Sequence, residues 1–138
     1  MIRAVLPPRL VRLVCWDRFE KVAVEFVDKN LRMRRPDLVW CLPLRGQRLP
    51  LVLILEHQSW SLKRMCLRIL DYAVRFWEWW AGQHRRAPRL PPVVGLVVSH
   101  DERGWRSPTR LRELVQVAPS LAGACSIPSL PSASASSP

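Results

Sequence analysis

LVLILEHQSW, residues 51–60, is the stretch on which the fold turns. Its aliphatic half runs directly into Glu56, His57, Gln58 and Ser59. The run is too short to span a membrane and is bounded by Pro50 and a polar cluster, so it reads as a buried β-strand. Ionised carboxylates are rarely buried unless paired or bound to a cation. Glu56 has therefore either just reached solvent or stands there to hold something.

Working outward, DLVWCLPL (37–44) is a second strand and RGQR (45–48) a turn, which together give a β-hairpin. Beyond Ser61 the period changes. SLKRMCLRILDYAVRFWEWWAG (61–82) puts Met65, Ile69, Tyr72, Phe76 and Trp80 on one stripe. That spacing predicts a long amphipathic helix, with Ser61 as N-cap and Gly82 near its end. PVVGLVVSH (92–100) is a third apolar strand. Strand, helix and strand in succession imply a right-handed crossover in an α/β sheet. Upstream, residues 11–33 place Val14, Phe19, Val22 and Phe26 at roughly helical spacing and predict one or two N-terminal helices, which Pro36 stops. TRLRELVQVA (109–118) predicts a short helix. SIPSLPSASASSP has no periodicity, so a single domain at 1–118 is expected, followed by a disordered Ser/Pro/Ala-rich tail at 119–138.

The hairpin fixes a register. If Gly46 and Gln47 form a two-residue turn, residues whose numbers add to 93 face one another. Asp37 and Glu56 are such a pair, with Cβ atoms about 5 Å apart, and Gln58 projects from the same face. Like charges placed opposite one another are unfavourable, which invites a cation; two carboxylates, a carbonyl and waters suit Mg²⁺. A longer loop would shift the pairing, and strand-end carboxylates are often merely solvated. Pro43 and Pro50 also fall opposite each other, so the ladder must be irregular there.

The chain carries 22 basic and 11 acidic residues in 138, a net charge of +11. That excess favours a polyanionic partner, although Arg- and Pro-rich composition also follows from codon bias. MIRAVLPPRL has prolines where a signal peptide would be apolar, so a cytoplasmic protein is expected. Cys15, Cys41, Cys66 and Cys125 lack any zinc-ligand spacing and read as reduced thiols.

PD at 36–37 and ExQ at 56–58 resemble the PD-(D/E)XK nuclease signature. Together with Asp37–Leu38, Leu55–Ser59, the run from Arg64 to Tyr72, and Pro91 to His100, the chain resembles the Rpn/YhgA-like transposase-associated nucleases over residues 20–118. The resemblance implies a restriction-endonuclease-like α/β core: N-terminal helix, hairpin, crossover helix and further strand. It also implies a Mg²⁺- or Mn²⁺-dependent DNA endonuclease related to recombination-promoting nucleases. Asp37 and Glu56 would bind the metal, and Gln58 would orient a water. DNA is the expected partner, a membrane is not, and self-association is left open. The motif's usual lysine is Gln58 here, and relatives usually continue past the third strand, so the chain looks like a shortened copy. The alternative is thus an inactive remnant that keeps a basic nucleic-acid-binding surface.

Other residues divide between two readings. Arg64, Arg68 and Arg75 form a helical stripe that either holds phosphates or is a solvated face partly neutralised by Asp71. His57, on the face opposite Glu56, reads as a packed neutral histidine, and His100 ends a strand where clefts open in α/β sheets. Glu20 or Glu25 on the first helix could add a further acid. FWEWW (76–80) reads as core packing or a face awaiting cover; a peripheral membrane anchor would need a sustained basic amphipathic face that is missing.

Overall fold

Apolar runs flanking one long helix produce a mixed four-stranded sheet. The computed structural model describes residues 2–22 and 36–121. Two short helices, α1 (Ile2–Val5) and α2 (Pro8–Leu13), lead into β1 (Glu20–Lys21). Strands β2 (Leu38–Leu42) and β3 (Leu51–Gln58) form the hairpin, α3 (Met65–Gln83) crosses over, and β4 (Val93–Ser99) follows. The strand order is β1-β2-β3-β4, with β3 and β4 parallel and the other pairs antiparallel. The architecture is α/β.

Strand β3 is central, and its alternation feeds two cores. Val52 and Ile54 pack with Val39, Ile69, Tyr72, Phe76 and Trp80 beneath α3. Leu51, Leu53 and Leu55 pack on the opposite face with Leu6, Val14, Leu42, Val94 and Leu96, under the N-terminal helices. A strand covered on both sides has no polar face, which is why its sequence is a continuous apolar run rather than an alternation. Val52, Leu53 and Ile54 are wholly buried, and each such side chain contributes about 1.5–3 kcal/mol. Gly95 lets α3 approach β4: a Cβ there would collide with Ile69 Cγ2. No helix among the described residues is long and apolar enough to cross a membrane.

The register is the one the sequence arithmetic gives. Leu38 pairs with Leu55 and Leu42 with Leu51, so every pair adds to 93. The turn differs in detail. Gln47 N–H donates to Leu44 C=O at 3.2 Å, and Gly46 takes φ +70°, so Arg45 and Gly46 are its central residues. The ladder stops at Leu42, before Pro43, because proline cannot donate to it. Leu44 instead bridges Val14.

Three expectations are corrected. The helix predicted over 11–33 is instead the end of α2, a bridge at Val14 and strand β1, with residues 23–35 outside the described part. Proline at the start of α2 presets helical φ, which the apolar spacing alone did not reveal. Ser61 does not cap α3; the helix begins at Met65, and the Ser61 backbone N–H and Oγ donate to Asp101. The helix predicted over 109–118 shrinks to a single 3₁₀ turn, Leu111–Leu114, where the Glu113 carboxylate accepts from the Thr109 and Arg110 N–H groups. Most of the tail lies outside the described residues.

Candidate active site

Strand β3 outruns β2 at its C-terminal end, and this positions the site. Glu56, His57 and Gln58 pair only with Val97, Val98 and Ser99 of β4. The pleat turns Glu56 to the face that α3 covers. Glu56 has therefore not reached solvent: it is 1% exposed and is the buried charged residue among those described. Gln58 Nε2 donates to Glu56 Oε2 at 3.3 Å. Arg68 Nε lies 3.9 Å from Glu56 Oε1, beyond hydrogen-bond reach, and Oε1 has no hydrogen-bond partner among the described residues. Burial pushes the Glu56 carboxyl up from its ordinary range; the Tyr72 hydroxyl and the Arg68 guanidinium pull it back, Asp37 adds to the rise, and Gln58 offsets part of it.

Asp37 sits one residue before β2, just beyond the terminal Leu38–Leu55 pair. Its side chain turns to the strand end. Because β2 has stopped, Asp37 Oδ2 accepts the His57 backbone N–H at 2.6 Å, and the same oxygen is 3.3 Å from His57 Nδ1. His57, expected to be packed, is exposed to solvent and packs only against its neighbours at the strand end. Its ring stacks against His100, with centroids 6.2 Å apart and planes within 6°. Those two histidines thus stand at the same strand end as Asp37, on the face away from Glu56.

The arginine stripe divides. Arg64 is exposed just before α3. Arg75 pairs with Asp71, Nε to Oδ1 at 3.0 Å. Arg68 turns inward, donating from Nε to the Tyr72 hydroxyl at 2.7 Å with its guanidinium over the Tyr72 ring. Tyr72 and the inward role of Arg68 were missed because tyrosine was counted only as an apolar stripe member. The signal was present in the four-residue spacing, which stacks Arg68 and Tyr72 on successive turns of one helix.

Glu20 lies on β1, exposed, and Glu25 lies outside the described residues. Two tryptophans of α3 serve packing: Trp80 is buried, and Trp77 Nε1 donates to Pro91 C=O at 2.8 Å, whereas Trp79 is exposed and packs on Phe76. Asp101 ties the end of β4 to the approach to α3. It accepts from the Arg103 N–H at 3.0 Å as well as from Ser61, and these donors hold its carboxyl below the usual range.

Among the described residues no cluster of three or more His, Cys, Asp or Glu could hold a metal ion. Asp37 and Glu56 are nonetheless hard oxygen donors at one strand end, and Glu56 Oε1 is a buried carboxylate oxygen with an unused acceptor capacity. Such an oxygen fits a hard divalent cation that keeps several waters.

Comparison with known proteins agrees with the motif reading. The chain is 29% identical over 103 residues to the recombination-promoting nuclease RpnD of Escherichia coli O157:H7, covering 75% of this chain and 38% of that protein. It is 28% identical over 97 residues to the inactive recombination-promoting nuclease-like protein RpnE of Escherichia coli strain K12, covering 70% of this chain and 32% of that protein. The match thus spans well under half the length of either relative. No solved structure matches significantly. The model of the family described as putative transposase, YhgA-like, matches residues 1–129. With nearly the whole chain inside that match, the protein belongs to the YhgA-like transposase family.

Proposed function

We propose that this chain forms the cation-binding core of a Mg²⁺- or Mn²⁺-dependent DNA endonuclease with a restriction-endonuclease-like fold, its nuclease-like domain spanning residues 1–118. The observation that carries the reading is Glu56: a carboxylate buried at the end of the central strand, one step beyond the Leu38–Leu55 pair that Asp37 precedes, with one oxygen lacking a hydrogen-bond partner among the described residues. The nuclease names of the two relatives support it.

Asp37 and Glu56 would hold the cation, which when bound supplies Lewis acidity at a phosphodiester and makes a water more acidic. The chain's own groups do the rest. Glu56 is fixed by Gln58 and by burial beneath α3. The Gln58 amide donates to Glu56, which leaves its carbonyl oxygen to orient an attacking water. Asp37 is anchored by the His57 N–H. Exposed Arg64, with Arg75 beside Asp71, offers charge contacts to the DNA backbone, which are independent of sequence.

Gln58 favours a second reading. An amide orients water but supplies no positive charge to a developing phosphorane. A catalytically inactive chain that retains a basic nucleic-acid-binding surface follows from that. A plasmid-cleavage assay on wild type and Glu56→Ala, with and without Mg²⁺, separates the two. The endonuclease reading requires Mg²⁺-dependent cleavage lost in Glu56→Ala. DNA binding without cleavage supports the inactive reading.

A further inference from the structure

The arginine expected to face DNA faces the buried carboxylate instead. Arg68 leaves the helix surface: its side chain is 24% exposed, Nε donates to Tyr72, and the same nitrogen stands 3.9 Å from Glu56 Oε1. Among the described residues no other cation lies within ion-pair distance of Glu56. Gln58, at the position where the resembling motif carries lysine, meets Glu56 only through its neutral amide.

We infer that Arg68 is the internal cation of this site: from α3 it supplies beside Glu56 the positive charge that Gln58 lacks, it is oriented for this by Tyr72, and it is not a DNA-backbone contact. The inference rests on the metal-site reading for its bearing on catalysis, but the Arg68–Glu56 coupling is testable without metal or DNA.

The geometry explains the division of labour. A guanidinium presents five N–H donors in a rigid fork. With Nε committed to the Tyr72 hydroxyl, the remaining donors are left for a second oxygen. Partial exposure lets the side chain reach from the buried carboxylate toward the open strand end. Arg68 and a divalent cation then draw on the same anionic oxygens. Removing the Arg68 charge should strengthen cation binding while depriving the site of its fixed charge, so affinity and turnover move in opposite directions. A surface arginine would move DNA affinity and turnover together.

The test is a double-mutant cycle on thermal unfolding of the metal-free chain, with Arg68→Gln and Glu56→Gln, followed by Mn²⁺ titration and DNA binding of the single variants. Arg68→Gln should lower Tm, because it leaves Glu56 buried and unpaired, and that loss should largely vanish in the Glu56→Gln background. Tyr72→Phe, which keeps the packing but removes the hydroxyl, should weaken the coupling in the same direction. Mn²⁺ affinity should rise several-fold in Arg68→Gln, and duplex-DNA affinity and its salt dependence should match wild type. Additive Tm losses, or an Arg68→Gln variant that loses DNA affinity as Arg64→Gln does, would overturn the inference. If Arg68→Gln fails to fold, rescue of folding by Glu56→Gln in the double variant supports it, and failure of both overturns it. Strong coupling in a wild type that binds no cation would leave the Arg68–Glu56 pairing standing and remove the nuclease reading.

Discussion

At the scale of single residues, Glu56 decides most of the chemistry. Its position was legible because an apolar run ended in a carboxylate. Its burial was not, since only packing against α3 distinguishes a covered strand end from a solvated one. Burial raises its pKa above the ordinary value of 4.5. A carboxyl raised in the folded state contributes stability that is fully present below the unfolded pKa and is lost as pH rises through the folded pKa. Glu56→Gln, a neutral isostere, should therefore unfold at a higher temperature than wild type at pH 7. The gap should close as pH falls toward 4.5, which melting curves across pH 4–8 would show; a gap that widens on acidification contradicts the assignment. The Arg68 orientation escaped the sequence for a related reason. A helical stripe tells which residues neighbour one another, not whether a long side chain turns inward to a partner from another element.

Among elements, the hairpin, the crossover helix and β4 were all visible as changes of period, and the predicted register holds although the turn assumed for it does not. A one-residue slip would have exchanged the β3 residues packed beneath α3 with those packed under the N-terminal helices and turned Glu56 away from α3. The N-terminal elements were misread. Helical spacing over 11–33 could not reveal that β1 must pair with β2, where Glu20 meets Cys41 and Lys21 meets Trp40. The packing of α3 on β4 yields a paired prediction. Gly95→Ala forces its Cβ into the buried Ile69 side chain and should cost about 1–3 kcal/mol. Gly82→Ala, in the last turn of α3 with nothing near its Cβ, should add about 0.5–1 kcal/mol. Urea denaturation of both variants checks the pair, and equal effects would mean that α3 does not approach β4 at Gly95.

For the whole molecule, the proposed DNA binding rests on charge. A net charge of +11 on 138 residues predicts that duplex-DNA affinity falls steeply with salt. Arg64→Ala should weaken binding to all sequences alike and lower the salt slope by about 1. Fluorescence anisotropy over a range of KCl concentrations reads both quantities, and a salt-independent affinity would return the basic surface to simple solvation. The fold brings Asp37, Glu56 and Gln58 to one strand end, and the account stands or falls on whether the two carboxylates share a cation. Calorimetric titration of Mn²⁺ into wild type, Asp37→Asn and Glu56→Gln tests this most directly. The account predicts a single saturable site in wild type that disappears in either variant while both remain folded. Wild type without saturable binding, or binding that persists unchanged in either variant, would contradict it.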